Sequence, residues 1–470
     1  MDSLEFDSKL EQVLTDCIPG CSKLVSVERL SGGASQETYR LEVMVEGAEK
    51  LLAMRRSPGG EYVEPTPAHP GLAVEALLMK CAHEAGVPVP EVYHVLSRDD
   101  GLGDGIIMEW LEGEALGARI VRSDQFSEIR PRLAYECGRI LANIHSIDLK
   151  QTGLDKKLAL IPPDEFIDQM WERYKLMKSP QPMIDYAARW LKANLPSDVE
   201  MSLVHNDFRN GNFMITSEKV VAILDWEVAH IGDPMRDLGW ICTNSWRYGS
   251  DKPVGGFGEY EDLFRGYEES SGNKIHREHV KFWQVFGSFW WAVGCLGFVE
   301  HYRTGPDQSV ERPAVGRRSS ECQVDCVNLL MPGPVELVSG PTGNSSLDMP
   351  GADELLTSVR DFLRQDVMDQ SSGRANFLAR VASNSVDIVI RELALGPGHR
   401  QGELSRLREF FSSQDNLEDL RWRLVNELRD GSLSLENETL KSHLRTTVVN
   451  QIAIDQPKYS GYQKAISMRD

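Results

Sequence analysis

Hydrophobic positions change their period along this chain, and the changes mark out its elements. Leu4, Phe6, Leu10, Val13 and Leu14 recur at helical spacing before Gly20. The pattern then turns strand-like through Leu30, and again at Thr38–Val43, Leu51–Arg55, Val92–Leu96 and Ile106–Trp110. One helix interrupts these strands at Gly71–Ala85, with Leu72, Ala76, Leu77 and Met79 as its expected buried side. Val87-Pro88-Val89-Pro90 imposes extended backbone, because a proline crowds the helical conformation of the residue before it. Ser57-Pro58-Gly59-Gly60 and Arg98-Asp99-Asp100-Gly101 supply turns.

After Gly113 the period is mostly helical, at Ile129–Ser146, Phe166–Leu176, Asp185–Asn194, Gly258–Glu269 and His279–Tyr302. A strand-and-loop island, Leu203 to Trp240, lies among them. The apolar run Phe289–Val299 is shorter than the ~20 residues a bilayer span needs, so it is expected to be a buried helix without membrane insertion. Prolines crowd Thr304–Ala352 and disfavour continuous helix there, although Cys322–Leu330 leaves room for a short one. From Asp353 to Ile454 amphipathic faces return: Leu355, Leu356, Val359, Phe362 and Leu363, then Phe377, Val381, Val386, Val389 and Ile390, then Leu404, Leu407, Phe410 and Phe411, with further helices at Leu417–Leu428 and Leu440–Ile452. They predict a separate helical bundle.

Composition narrows the function. The 470 residues carry 51 Lys plus Arg against 71 Asp plus Glu, a net charge of −20. Nucleic-acid binding needs a basic stripe, so that class is excluded, as is a basic membrane-surface protein. The start, Met1-Asp2-Ser3-Leu4-Glu5, has no basic and apolar leader pattern, and a secretory signal is not expected. Eight scattered cysteines lack histidines at zinc spacing; Cys17/Cys21 and Cys322/Cys326, four apart, are each expected on one helical face. Free thiols fit a reducing cytoplasm, the expected location.

The chemistry concentrates in the island. An apolar strand delivers His205-Asn206-Asp207-Phe208-Arg209-Asn210-Gly211-Asn212, a second leaves it, and a third delivers Asp225-Trp226-Glu227. Asp207 and Asn212 have the spacing of a kinase base and metal ligand, and Asp225 stands where a second metal ligand is needed. Phosphoryl transfer from ATP needs Mg2+ to screen phosphate oxygens, and Mg2+ prefers oxygen ligands. One carboxylate suffices to orient an alcohol and take its proton.

On these residues the chain resembles the aminoglycoside phosphotransferase family, which is similar to protein kinases. Its usual His-Gly-Asp has Asn206 at the glycine position here, and His230-Ile231-Gly232-Asp233-Pro234 with Asp237-Leu238-Gly239-Trp240 also matches. The resemblance covers about residues 20 to 305. It implies an α+β, two-lobed protein-kinase-like fold, with an antiparallel-sheet N-lobe at 1–112 and a mainly helical C-lobe at 113–305; the proline density and the amphipathic faces beyond add a Pro/Gly-rich linker at 306–350 and an all-α bundle at 351–470.

The resemblance implies the rest of an ATP site. The small residues Ser31-Gly32-Gly33-Ala34-Ser35 would let backbone N–H groups approach phosphates. Arg55, with Arg56 beside it, takes the place of the family's frequent lysine, and Glu75 is its expected partner. Backbone groups near Glu109 and Leu111 would receive adenine. Asp233 and Asp237 are expected to cap a helix, and His205 to hydrogen-bond backbone near the catalytic loop. Arg209 either holds Asp207 or binds a substrate anion; Glu227 either orders the metal loop or binds substrate.

Asp207-Phe208-Arg209 with Asn212, Arg55-Arg56 and Asp225-Trp226-Glu227 is similar to the kinase-like domains associated with acyl-CoA dehydrogenases. That similarity implies an ATP- and Mg2+-dependent O-phosphotransferase whose acceptor hydroxyl sits on a hydroxyacyl-CoA or hydroxy acid. The alternatives are an aminoglycoside O-phosphotransferase and a non-catalytic nucleotide-binding protein. The aromatic helix Phe282–Trp291 would line an apolar substrate pocket or form plain core. Phe377–Ala382 and Val389–Leu393 resemble an uncharacterised helical module that accompanies such kinases, implying homodimerisation or docking to an acyl-CoA-metabolism partner.

Overall fold

Alternating apolar positions build an antiparallel sheet from β1 (Cys21–Arg29), β2 (Glu37–Val45), β3 (Ala48–Arg56), β4 (Val92–Val95) and β5 (Gly105–Glu109), in the order β1-β2-β3-β5-β4. The structure, a computed structural model, describes residues 3–30, 36–62, 64–66, 70–305, 307–340 and 349–468. β3 starts three residues earlier than its apolar run, because Glu46 and Gly47 take positive φ (52° and 81°) and close a tight hairpin that pairs Ala48 with Val45. Tyr39, Leu41 and Val43 of β2 share a face with Leu52 and Met54 of β3. The helix Ser3–Cys17 covers that face with Phe6, Leu10, Val13 and Leu14. Cys17 ends this helix and Cys21 opens β1, so the pair does not share a helical face.

The helix Leu72–Glu84 buries Leu72, Glu75, Ala76, Leu78 and Met79. Leu78 takes the place expected for Leu77, and a carboxylate is inside. Further along, helices Arg130–His145 and Tyr260–Ser271 cross at two glycines. A Cβ on Gly138 would collide with Leu263 O, and one on Gly266 with Tyr135 O, so only glycine permits this approach.

Two short ladders complete this part. β6 (Ser202–Val204) pairs with β9 (His230–Gly232), and β7 (Phe213–Ile215) with β8 (Val220–Ile223). The register sets Val204 opposite His230 and Phe213 opposite Ile223. Loop 205–212, joining β6 to β7, therefore emerges beside loop 224–229, joining β8 to β9.

The chain divides into two compact units: Met1–Pro162 with Asp198–Cys242 and Trp246–Val280, and Pro163–Ser197 with Thr243–Ser245 and Lys281–Asp470. The second is helical. Residues 306–350, expected as a linker, contain the helices Glu311–Arg317 and Ser319–Leu330, the latter buried along most of its length. Pro313 lies in the first turn of its helix, where its missing N–H has no partner to lose. Cys322 and Cys326 do share the second of these helices, and all eight cysteines are free. The faces expected as separate helices around Phe377 and Leu404 lie on one helix, Gly373–Phe411, that continues through Pro397.

Asp185 is fully buried in this unit. Arg429 Nε reaches it at 2.7 Å, Trp171 Nε1 at 2.8 Å and Tyr174 OH at 3.1 Å. Burial raises the Asp185 carboxyl above its ordinary value, with the Arg429 hydrogen bond working the other way. Removing one partner of a buried pair strands the other charge. Arg429→Met is therefore expected to destabilise this unit by about 3–5 kcal/mol in urea unfolding; a loss within error of zero would contradict the pairing.

Among the described residues one helix, Arg277–Thr304, has the length and hydropathy to cross a bilayer. Its Phe282, Trp283, Phe286 and Phe289 are buried instead, and Phe166 packs on Trp283 and Phe286 at 6.5 and 4.7 Å between ring centroids. Phe282, Trp283, Phe286 and Phe289 are therefore core, while Trp290 and Trp291 are half-buried.

Candidate active site

Asp207 and Asp225 sit on the two adjacent loops, so the ladders bring together residues 18 apart in sequence. The catalytic loop begins with a backbone demand. Asn206 has φ 66°, a left-handed conformation that glycine adopts freely and asparagine tolerates better than most residues. The asparagine also does what glycine cannot. Its Oδ1 accepts from Arg236 Nε at 2.9 Å and its Nδ2 donates to Val228 O at 3.3 Å, joining the two loops. Burial pulls the Arg236 guanidinium down to about 10, which leaves it cationic at neutral pH.

Asp237 holds this loop from below. Its carboxylate accepts from His205 N at 2.8 Å, Asn206 N at 2.7 Å and His145 Nε2 at 3.1 Å. Tyr267 OH lies 3.1 Å from His145 Nδ1, which assigns Nε2 as the donor toward Asp237. Burial opposes ionisation of Asp237, yet these bonds outweigh it and keep the carboxyl below its ordinary value. Capping was the sequence expectation for Asp233 and Asp237. Asp233 does accept from Met235 N at 2.8 Å, but Asp237 points to the catalytic loop. No local pattern distinguishes a cap from a long-range acceptor, because both need one carboxylate near a helix start.

His205 is where the sequence put it. Its Nε2 donates to Leu224 O at 3.1 Å and its Nδ1 accepts from Asp207 N at 3.3 Å. Burial lowers its pKa, so the ring is a neutral brace between the loops.

Asp207 itself is held by three donors. Oδ1 accepts from Arg209 Nε at 2.9 Å and Trp240 Nε1 at 2.8 Å; Oδ2 accepts from Asn212 Nδ2 at 2.6 Å. The Arg209 guanidinium lies 4.2 Å over the Trp246 ring. Arg209 thus takes the role of holding Asp207. Asn212 Nδ2 also donates to Asp207 O at 2.9 Å, so its amide oxygen is the atom that could hold a metal ion. Trp246 and His145 are the site residues sequence reasoning missed, and Trp240, part of the matched motif, had no role assigned; an indole at a fold-dependent distance leaves no spacing signal.

On the metal loop Asp225 has φ 68°, a strained conformation for a non-glycine residue. Arg55 Nη2 approaches its Oδ1 at 3.3 Å, and Arg55 Nη1 lies 3.5 Å from Glu75 Oε2. Glu75 is therefore the partner expected for Arg55, and Gln36 Nε2 also donates to it at 3.3 Å. Arg56 is committed elsewhere: its Nη2 pairs with the buried Glu37 Oε2 at 2.6 Å, beside the Phe6 and Tyr39 rings. Glu109 ends β5 with its N–H given to Glu91 O at 2.8 Å, and Leu111 follows in irregular backbone. Ser31, Gly32, Gly33, Ala34 and Ser35 lie outside the described residues.

Glu75 pairs loosely while buried, and this raises its carboxyl from 4.5 to about 7. Burial is the main cause; Arg55 opposes it, and Asp225 and Glu227 add to it. The folded chain therefore binds a proton between pH 4.5 and 7 that the unfolded chain has released. Stability is fully present below 4.5 and is lost as pH rises toward 7, by about 3 kcal/mol. Urea unfolding of Glu75→Gln should lack this decline between pH 5 and 7, and equal slopes in both proteins would contradict it.

Among the described residues no cluster of three or more His, Cys, Asp or Glu is arranged to hold a metal ion unaided. The Asn212 amide oxygen and the Asp225 carboxylate are nonetheless a hard-oxygen donor pair. Mg2+ is commonly held that way, by one or two protein oxygens together with substrate phosphates. The donor set fits Mg2+ carried by a nucleotide.

A family model described as a phosphotransferase enzyme family matches residues 26–272, and a model for a domain of unknown function matches residues 369–459. Acyl-CoA dehydrogenase family member 10 of Mus musculus is 30% identical over 222 residues, 45% of this chain and 19% of that protein. Family member 11 of Gallus gallus is 30% identical over 246 residues, 49% of this chain and 30% of that protein. The chain thus matches under a third of these relatives' length. A solved Ralstonia eutropha protein named for the aminoglycoside phosphotransferases has a TM-score of 0.55 at 24% identity, covering 67% of this chain and 95% of that one. At that identity the likeness is one of fold: two-lobed, with an N-terminal antiparallel sheet and a helical remainder.

Proposed function

The chain belongs to the phosphotransferase enzyme family, and from that premise we propose that it transfers the γ-phosphoryl group of Mg-ATP to the hydroxyl of a small molecule. The observation that carries this reading is the arrangement around Asp207: a carboxylate held by Arg209, Trp240 and Asn212 beside the Arg55–Asp225 pair. Asp207 orients the acceptor hydroxyl and takes its proton as the hydroxyl oxygen bonds to phosphorus and the bond to ADP breaks. Arg55 offers a guanidinium to the phosphates, where a permanent charge and planar fork suit their oxygens. Asn212 and Asp225 would hold Mg2+, which when bound neutralises charge on the phosphate oxygens. Asp237, His145 and His205 keep the loop in register; they touch no reacting atom.

The names of the matched relatives support an acceptor hydroxyl on an acyl chain, such as a hydroxyacyl-CoA or hydroxy acid. The C-terminal helical region would then serve assembly with a second copy or an acyl-CoA-metabolising partner. The purified full chain should consume ATP in a screen across hydroxyacyl-CoAs, hydroxy acids, amino alcohols and aminoglycosides, with highest turnover on the acyl compounds. Nucleotide binding without turnover on any class would favour a non-catalytic kinase-like protein instead. Turnover confined to aminoglycosides would overturn the acyl reading alone.

A further inference from the structure

The helical unit contains a cavity of about 370 Å3 whose lining includes none of the phosphotransfer residues. Helices Pro182–Ala193, Arg277–Thr304, Gly373–Phe411 and Glu438–Asp455 contribute to its walls. His399 and His443 line it, 3% and 4% exposed, and neither nitrogen of either ring has a hydrogen-bond partner. Both histidines fall in residues 369–459, the region matched by the domain of unknown function.

A buried polar group without a partner costs about 1–3 kcal/mol, so two unpartnered imidazoles in the wall of one cavity call for something that meets them. Burial pushes both imidazoles down, His443 to about 4, so at neutral pH each is an uncharged ring with one donor and one acceptor. The charged side chains that line the cavity with them are paired with one another or with Glu392, while Arg406 nearby donates to Thr447 Oγ1 at 3.0 Å. Arg421 Nε pairs with Glu403 Oε1 at 2.7 Å, and Arg317 Nη1 with Asp455 Oδ1 at 3.0 Å. No metal-holding cluster exists among the described residues, which removes the commonest use of paired histidines.

Water alone satisfies only part of this space. The volume corresponds to about a dozen waters at ~30 Å3 each, and each water needs two to four polar partners. Pro182, Met183, Leu296, Val299, Leu444 and Val448 offer none. A cavity of this size, walled by aliphatic side chains and by polar groups that include the two imidazoles, has the character of a small-molecule site.

We propose that this cavity binds a small uncharged organic molecule with an aliphatic body and a head carrying both a donor and an acceptor, the head received by His399 and His443. The proposal stands independently of phosphoryl transfer. Hexanamide is a minimal probe, with hexanoate and hexylammonium as its charged isosteres. The full chain, labelled with 15N-histidine, is titrated with each, the two imidazole signals assigned from His399→Leu and His443→Leu. Hexanamide should shift both signals saturably with a dissociation constant near about 1 mM, and the charged isosteres should bind at least about tenfold more weakly. His443→Leu should weaken hexanamide at least about tenfold without lowering Tm, since it deletes an unsatisfied polar group. No saturable shift up to about 50 mM, or equal binding of hexanoate, overturns the proposal on the unsubstituted protein alone. Unchanged affinity in a folded His443→Leu or His399→Leu overturns the placement of the head.

Discussion

Replacing Asp207 with asparagine is expected to lower phosphoryl transfer by roughly 10²–10⁴-fold while leaving Mg-nucleotide affinity within about twofold. Asparagine keeps the volume of the side chain and one acceptor oxygen. It removes the basic site and presents an NH2 group to donors already aimed at it, Arg209 Nε, Trp240 Nε1 and Asn212 Nδ2. Alanine is the poorer test, because it would take the carboxylate acceptor from all three and loosen the loop. The proposed metal ligands and Arg55 are untouched, so nucleotide binding serves as the internal control. Turnover unchanged in the folded variant would remove Asp207 from the mechanism. Lost turnover together with lost nucleotide binding would mean that the loop had collapsed.

The second large effect is expected from Asp237→Asn. The carboxylate of Asp237 is fully buried and receives the His205 and Asn206 N–H groups as well as His145. An amide supplies one acceptor oxygen where two are used and turns a donor toward donors. A hydrogen bond to a charged group contributes about 1.5–3 kcal/mol, so the variant should lose about 3 kcal/mol of unfolding free energy. Turnover should fall by about a hundredfold, because displacing a catalytic group by about 1 Å has that cost. The positioning role predicts a lower kcat with little change in the KM for ATP, since neither Arg55 nor Asp225 contacts Asp237. A loss of stability with kcat intact would reduce Asp237 to a structural residue. A His145→Gln variant, retaining one donor to Asp237, should recover most of both properties.

Much of this was legible along the chain because it is encoded locally. Period-two and period-3.6 patterns placed the strands and most helices to within a few residues, since burial on one face imposes them. Exceptions came where another force set the boundary. The hairpin at Glu46-Gly47 lengthened β3 beyond its apolar run. Pro313 sat where a helix tolerates it, and Pro397 was carried inside a helix whose Leu407 and Glu403 are buried.

The sequence by itself singled out the candidate groups of the proposed site: Asp207, Asn212 and Asp225, on loops that the β6–β9 and β7–β8 ladders set side by side. The resemblance carried by those residues also implied the Arg55–Glu75 pair, which the structure brings to 3.5 Å. Only the tertiary structure decided which arginine is free to serve. Arg55 and Arg56 are adjacent and chemically alike, but alternation along β3 sends Arg56 into Glu37 and Arg55 toward Asp225. The same holds for Asp237, His145 and Trp240. Their roles depend on partners tens to hundreds of residues away, and a long-range hydrogen bond leaves no period for a sequence to display.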